Sequence, residues 1–194
     1  MGQLSRAAAY LRAHYRQLLL GALALSLALL WWRTEPPPVP GYGDLKAQWH
    51  SSEAWLYARN GQLLDEVRLD YAQRRLAWTP LAEVSPALRL DVVAIEDHRF
   101  ANHGGVDWLA LGGSLRDRAH GKRRRGASTI TMQTAALLWP ELGRPGQRGW
   151  LDKLRQMRSA WALEASWNKD QIFEAYLNLA PFREIGRASC RERV

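Results

Sequence analysis

The sequence predicts a mainly α-helical protein with a small β-hairpin unit and a separate apolar helix at its N-terminus. Three observations support this fold class: an apolar run near the start, a Gly-containing turn between two short apolar stretches, and helical spacing of apolar residues from residue 85 onward. A chain of 194 residues has room for one compact domain with appendages. Its single cysteine excludes a disulfide framework within the chain and a cysteine-based zinc site.

The N-terminal segment has the pattern of a membrane anchor. Arginines precede an apolar run at 18–32, which ends in Trp-Trp and is followed by Arg33. We therefore predict a cytoplasmic tail at 1–16, an uncleaved transmembrane signal anchor at 17–33 and a stiff Pro-rich linker at 34–50, with everything after Arg33 outside the cytoplasm. The alternatives are a cleaved signal peptide, for which a small-residue cleavage site is lacking, and a buried core helix, which the flanking residues disfavour.

The C-terminal segment 184–194 departs from the helical pattern before it. It has no apolar period and resembles the in-frame translation of a sequencing-library adapter. We therefore expect the natural chain to differ from this sequence after Arg183, with Cys190 not part of the protein. An ordinary basic tail is the alternative.

The positive charge limits the classes of partner. The net charge is +8, from 27 basic and 19 acidic residues, which suits a nucleic acid, an anionic membrane or a phosphorylated substrate. Ten tryptophans suit membrane interfaces or sugar rings. The predicted anchor places the basic loop that contains the arginines 123–125 outside the cell. No nucleic-acid partner is therefore expected.

Strands are predicted between 54 and 78, and helices from residue 85. Apolar stretches at 55–57 and 63–69 flank Asn60-Gly61, which predicts a hairpin with a two-residue turn, and 75–78 is expected to add a third strand. Four helices follow, each with its own start or stop signal or apolar stripe. These signals are an N-cap at Ser85 before Pro86, an N-cap at Ser128 with a stop at Pro140, an apolar stripe from Leu151 to Trp161, and a capping box of Asn168 with Gln171.

An acidic pair, Glu96-Asp97, directly follows the apolar residues of the first of these helices. The negative end of a helix dipole favours the protonated form of a carboxyl group, which suits a general acid or base. Such a pair is also common on solvated surfaces, and Asp97 and Asp107 would serve equally well as turn caps. His98 and His103 have no further histidine nearby, so no metal site is expected.

A second group of residues suits an anion. The arginines 123–125 precede the hydroxyl residues Ser128 and Thr129 at a helix start, where free backbone N–H groups bind phosphate or pyrophosphate. The alternatives are a capped helix behind a solvated basic loop, or arginines on lipid headgroups.

A third group lies on the two C-terminal helices. Lys153 and Gln156 share one helix face, and Lys169, Glu174 and Asn178 mark the next helix. Amphipathic helices of mixed charge are also common in proteins without a site, so the spacing alone leaves both interpretations open.

Taken together and in order, these stretches resemble the signatures of the family-51 glycosyltransferases, the peptidoglycan transglycosylases. The three matching stretches read E-D-H-R-F-A-N-H-G-G-V-D at 96–107, R-G-A-S-T-I-T-M-Q at 125–133 and K-D-Q-I-F-E-A-Y-L-N at 169–178. The resemblance covers roughly residues 50–183. Within the family, the T-M-Q variant and the ending N-L-A-P-F at 178–182 are most similar to the 1C type of class A penicillin-binding proteins.

The resemblance implies a lysozyme-like glycosyltransferase domain at 51–183, shortened at its C-terminal end, with a membrane-dipping segment near Trp108, Leu109 and Leu111. It implies polymerisation of lipid II into β-1,4 glycan strands with release of undecaprenyl pyrophosphate, within a bifunctional synthase whose transpeptidase domain is missing here. The expected location is the bacterial inner membrane, single-pass, with the domain on the periplasmic side.

The resemblance also implies roles for individual residues. Glu96 matches the catalytic base, and Gln156 is expected to orient a substrate group. The substrate-binding residues are expected to be Asp97, Phe100, His103, Ser128, Thr129, Gln133, Lys153, Lys169, Glu174 and Asn178. No metal ligand is assigned, and the one cofactor that the resemblance suggests is a divalent cation, Mg or Mn, which the family often uses. The implied partners are lipid II, the growing glycan strand, inner-membrane lipids and other cell-wall synthesis proteins.

Two positions differ from the family pattern. Gln156 stands where the family usually has Glu, and Ala136 where it often has a basic residue. They favour a rival hypothesis, a non-catalytic membrane-anchored module that binds lipid II or cell-wall polymer. A lytic enzyme on a related fold is a third hypothesis, which the anchor and the S-T-I-T-M-Q stretch disfavour.

Overall fold

The computed structural model describes residues 2–71, 74–121, 126–142 and 149–180, with side chains from residue 14 onward. The chain divides into two compact units, Met1–Glu35 and Pro36–Val194. Within the described ranges the secondary structure is mainly helical, with one two-stranded antiparallel sheet. The predicted fold class is therefore confirmed. The predicted adapter-derived segment 184–194 lies outside the described residues.

The first unit is a single long helix, α1 (Gly2–Arg33). Its part His14–Arg33 is long and apolar enough to cross a membrane, and none of that stretch is buried. An anchor and a signal sequence share these properties, so the helix is consistent with either.

The second unit begins with a short helix and a hairpin. Helix α2 (Tyr42–Ala47) is followed by strands β1 (Glu53–Tyr57) and β2 (Leu63–Arg68), which pair antiparallel. The predicted hairpin is confirmed, but not its two-residue turn or the third strand.

The turn of the hairpin has three residues rather than the predicted two, because the hydrogen-bonded pair that closes it is Ala58 with Gln62. The Ala58 N–H donates to the Gln62 carbonyl, the Gly61 N–H donates to the Ala58 carbonyl, and Gly61 has a φ of 81°. This is a three-residue loop with a left-handed residue at its end, which Gly adopts without strain. The predicted strand 75–78 is instead an irregular segment that hydrogen-bonds to Ser52 through Arg75.

Five further helices complete the second unit. They are α3 (Pro86–Glu96), α4 (Trp108–Ala119), α5 (Ile130–Leu138), α6 (Trp150–Ser166) and α7 (Lys169–Leu179). Short 3₁₀ turns lie at Leu81–Glu83, Phe100–Asn102 and Pro140–Leu142. The capping box of Asn168 with Gln171 is confirmed at the start of α7.

One detail of the helix predictions is wrong. The N-cap of α5 is Thr129 rather than Ser128, since the Thr129 hydroxyl accepts the Met132 N–H while Ser128 binds Lys153. Ser85 is the N-cap residue of α3 as predicted, although its side chain makes no capping hydrogen bond. Helices α2 and α4 were not predicted.

The core surrounds α5. Its residues Ile130, Met132 and Ala135 are fully buried, and the helix packs against α6 and α7. A larger apolar cluster around Ile130, Leu163 and Ile172 lies on one side, and a smaller one with Met132 lies on the other. Because burial on this scale makes α5 a rigid support, the groups at its first turn are held firmly in place.

The segment directly after α1 belongs to the core of the second unit. We call residues 36–49 the leading segment. Its side chains Val39, Tyr42 and Leu45 pack against the larger cluster, and the Trp167 indole N–H donates to the Pro40 carbonyl at 3.0 Å. Part of the predicted linker is thus a component of the folded domain.

Candidate functional site

The acidic pair at the end of α3 places its two carboxylates in opposite environments. Glu96 is exposed, whereas Asp97 is 7 % exposed. Asp97 Oδ2 accepts the Ile130 N–H at 3.0 Å, and both carboxylate oxygens lie 3.0 Å from His103 Nε2. A carboxylate facing the first turn of a helix is stabilised by the free N–H groups and the helix dipole there. Asp97 therefore joins the end of α3 to the start of α5.

Glu96 lies where two cavities share their lining. The cavities have volumes of about 490 and 620 Å³, and both are also lined by Ile95, Gly126 and Ser128. One extends along α4, and the other extends toward α5, Gln156 and Tyr176. Each has the size of a small-molecule site. We call this pair of cavities the cleft.

Gln133 contacts Glu96 directly across the cleft. Its Nε2 donates to Glu96 Oε2 at 2.8 Å. Gln133 is the fourth residue of the rigid α5 and so belongs to its first turn. This bond therefore holds the Glu96 side chain in one orientation.

A lysine and two polar side chains meet beside the second cavity. Lys153 Nζ donates to Ser128 Oγ at 2.9 Å and to Gln156 Oε1 at 3.2 Å, and Gln156 Nε2 donates to the Met132 carbonyl at 3.0 Å. The structure thus brings Ser128, Lys153 and Gln156 together, as the resemblance implies. A fixed positive charge next to the cleft suits a phosphate-bearing ligand.

The predicted anion site at the start of α5 needs a correction. The Ile130 N–H is bound by Asp97 and the Met132 N–H by the Thr129 hydroxyl, so protein groups already occupy these two donors. The sequence pattern does not reveal this, because Asp97 follows the end of α3 and is 33 residues away from Ile130 along the chain. The arginines 123–125 lie outside the described residues.

Asp97 and Thr129 also line the first cavity, and they belong to a set of five residues of the predicted site that contact other protein groups. The five are Asp97, Phe100, His103, Thr129 and Lys169. The Thr129 hydroxyl donates to the Gly105 carbonyl at 2.6 Å, and Lys169 Nζ donates at 2.6 Å both to the His103 carbonyl and to Glu164 Oε1. Phe100 is in the larger apolar cluster, with Lys169 Nζ at 4.4 Å from its ring centre.

Glu174 and Asn178, which both lie on α7, bind protein groups away from the lining of the cleft. Glu174 accepts hydrogen bonds from the Tyr42 hydroxyl, the Trp78 indole N–H and the Leu81 N–H. Asn178 exchanges two hydrogen bonds with the backbone of Thr79. The structure does not bring these two residues to Glu96.

The surroundings of Glu174 change its acidity. Burial disfavours the charged form, but hydrogen bonds from the Tyr42 hydroxyl and the Trp78 indole outweigh it and lower the pKa of Glu174 to about 2. Burial and the adjacent Glu174 carboxylate raise the pKa of the Tyr42 hydroxyl.

Two groups near Glu96 were missed or only partly identified from the sequence. Tyr176 lines the second cavity, and burial and the Glu96 carboxylate raise the pKa of its hydroxyl. Its helical spacing indicated only a core position. Asp107 caps α4, and although burial opposes its ionisation, the Ala110 N–H and the Arg99 guanidinium hold its pKa below the ordinary value.

Apolar side chains are exposed beside the first cavity. Leu109 lines that cavity and is exposed, as is Trp108, which contacts the Trp161 ring. Leu111 instead packs against the smaller apolar cluster. Two of the three residues expected near the membrane are thus open to solvent.

The described residues do not fit a resident divalent cation. In the described ranges, no three His, Cys, Asp or Glu side chains are grouped to hold a metal ion. Gln156 offers a neutral amide oxygen that already accepts a hydrogen bond from the Lys153 ammonium. A neighbouring cation is unfavourable for binding another cation.

Comparison with known proteins identifies similar chains. A biosynthetic peptidoglycan transglycosylase from Pasteurella multocida (strain Pm70) is 44 % identical over 105 residues, covering 54 % of this chain and 41 % of the relative. The protein of the same name from Rhodospirillum centenum is 46 % identical over 105 residues, covering 53 % and 43 %. That from Pseudomonas entomophila is 34 % identical over 160 residues, covering 82 % and 58 %. The chain thus spans about half the length of these curated relatives.

The family comparison covers the second strand of the hairpin, the cleft and the helices around it. The match runs past residue 183, so the origin of the segment 184–194 stays a prediction. The sequence model of the transglycosylase family matches residues 60–190, well over half of the chain, and the chain therefore belongs to the transglycosylase family.

Proposed function

We propose that this chain is the catalytic part of a peptidoglycan glycosyltransferase that polymerises lipid II into β-1,4 glycan strands. The observation that supports this most strongly is the position of Glu96, an exposed carboxylate at the junction of two cavities with Lys153 nearby. Family membership and the names of the relatives agree with this chemistry.

The reaction needs a base for the acceptor and positive charge for the leaving group. The 4-hydroxyl oxygen of the incoming lipid II sugar attacks the anomeric carbon of the growing strand, and Glu96 takes the hydroxyl proton. The bond from the anomeric carbon to the pyrophosphate oxygen breaks with inversion, and undecaprenyl pyrophosphate leaves with the electron pair. Lys153, held by Ser128 and Gln156, stabilises the charge on that leaving group.

The cellular setting is also part of the proposal. The apolar helix at His14–Arg33 serves as a single-pass anchor in the bacterial inner membrane, with the cleft on the periplasmic side. The exposed Trp108 and Leu109 contact membrane lipids, where a polyprenyl-linked substrate resides. The natural protein is a class A synthase of the 1C type with a transpeptidase domain and cell-wall synthesis partners.

The test is polymerisation of labelled lipid II in detergent by the full gene product that contains this sequence. Wild type is expected to give polymer. Glu96→Gln is expected to lower the rate by about 10²- to 10⁴-fold, because the acceptor hydroxyl loses its base. The control is Glu83→Gln, the same change at an exposed carboxylate outside the cleft lining, and it is expected to polymerise like wild type.

A second candidate is a non-catalytic module that binds lipid II. Gln156 and Ala136, which both line the second cavity, favour it because the first replaces an acid and the second a base of the family pattern. Binding of lipid II without polymer by wild type, unchanged in Glu96→Gln, would support this candidate against the enzyme. Release of soluble sugar fragments from purified wall would instead indicate a lytic enzyme.

A further inference from the structure

The first turn of α5 contacts both members of the acidic pair. The Ile130 N–H binds Asp97, and the Gln133 side chain binds Glu96. Ile130 and Gln133 are three residues apart, which places them on one face of the helix. One rigid, buried helix turn therefore sets the position of two adjacent carboxylates.

Asp97 fixes the backbone next to Glu96. Its N–H donates to the Val93 carbonyl at 3.0 Å, and its carboxylate is held by Ile130 and by His103. The end of a helix ordinarily frays, but here it is fastened to a second helix. Since Glu96 is the last residue of α3, this attachment limits the positions that its side chain can reach.

Gln133 selects between the two oxygens of Glu96. It donates to Oε2, and in the part of the chain that the structure describes Oε1 accepts no hydrogen bond. A donor on one oxygen fixes the side-chain rotamer and leaves the other oxygen to accept a proton.

We propose that Gln133 and Asp97 are positioning residues for Glu96 rather than substrate-binding residues, and that Oε1 of Glu96 is the oxygen that takes the proton. This inference rests on the proposed function. Gln133 acts by holding the base through Oε2, and Asp97 acts by fixing the backbone that bears it.

The first experiment measures rates and lipid II affinity for the full gene product with Gln133→Ala. We expect kcat to fall about 10- to 100-fold, because a misplaced base loses alignment with the hydroxyl, while the Kd for lipid II stays within about two-fold of wild type. Gln62→Ala makes the same chemical change at the exposed hairpin turn and is the matched control. A rise in Kd that accounts for the loss of rate would overturn the proposal and return Gln133 to a binding role.

The second experiment separates positioning from a general structural effect. Glu96→Asp keeps a carboxylate but shortens the side chain, so it loses the contact with Gln133. If Gln133 acts through Glu96, then Gln133→Ala has no further effect on kcat in the Glu96→Asp background. Independent, multiplicative losses in the double variant would overturn the inference.

The third measurement addresses Asp97. Asp97→Asn retains the shape and an acceptor for the Ile130 N–H, and we expect a lower kcat with an unchanged Kd for lipid II and a folded protein by circular dichroism. If the variant does not fold, the Gln133 cycle still decides the proposal. A wild type that makes no polymer would contradict the proposed function, whereas an active wild type with a fully active Gln133→Ala would contradict only this inference.

Discussion

Gly105 lies at a position where any side chain would strain the backbone. Its φ is 87°, and a Cβ there would lie 2.9 Å from the Ala160 carbonyl oxygen. Its own carbonyl accepts the Thr129 hydroxyl, so this turn connects the segment after the acidic pair to the start of α5. The glycine thus permits a close contact between this turn and the Ala160 backbone in α6.

We predict that Gly105→Ala destabilises the protein by about 1–3 kcal/mol through backbone strain, with the carbonyl contact adding to it. The neighbouring Gly104 has open space for a Cβ and no positive φ, so Gly104→Ala is expected to change the free energy of unfolding by less than about 0.5 kcal/mol. Denaturant unfolding of both variants measures the difference. Equal stabilities would show that the turn relaxes without cost.

The elements of the second unit are connected through α7. Glu174 on this helix binds Tyr42 of the leading segment together with Trp78 and the Leu81 N–H. One partly buried carboxylate thereby joins α7 to two parts of the chain that are distant in sequence, the leading segment and residues 78–81. This acid of the third matching stretch is thus bound by protein groups and is not among the residues lining the two cavities of the cleft.

Acid is expected to weaken this connection. The pKa of Glu174 is about 2 in the folded protein against an ordinary value of 4.5. Its contribution to stability is therefore complete above the ordinary value and is lost as the pH falls toward about 2. The stability difference between wild type and Glu174→Gln should shrink over this range, as measured by urea midpoints at a series of pH values. The exposed Glu83→Gln is the control, and a constant difference for Glu174→Gln at every pH would contradict the prediction.

The whole molecule consists of a helix and a domain that are separate compact units. The boundary lies at Glu35, so the leading segment belongs to the domain and not to the helix. Its apolar side chains complete the larger core cluster from one edge. We therefore expect the domain to fold without α1. Removal of the leading segment as well should lower the stability of the domain.

Two truncations test this division. A chain that begins at Pro36 is expected to show a cooperative thermal transition by circular dichroism. A chain that begins at Gln48 lacks the partly buried Val39, Tyr42 and Leu45 and is expected to be less stable by at least about 3 kcal/mol. Identical transition midpoints for the two chains would show that the leading segment adds nothing to the core.

Much of the fold could be predicted because its signals are local. The capping box of Asn168 with Gln171, Pro86 at the start of α3 and the hairpin, although not the length of its turn, each depend on residues a few positions apart. Two predictions failed where distant residues intervene. Ser128 binds Lys153, and the cap of α5 is Thr129 instead. The segment 75–78 is irregular, with hydrogen bonds from Ser51 and Ser52 to Arg75 and from the Trp49 indole to the Leu76 carbonyl.

The sequence by itself determined the family and the mainly helical fold, because motif order and hydrophobic period are properties of the chain. Only the tertiary structure decided how far each motif acid is exposed in the cleft, since Asp97 lines the first cavity beside Glu96 but is buried. Glu96 is open to the cleft, Asp97 is bound to α5, and Glu174 is bound to the leading segment. The physical reason is that a buried carboxylate needs hydrogen-bond donors. The donors of Asp97 and Glu174 come partly from residues far along the chain, which no local pattern specifies.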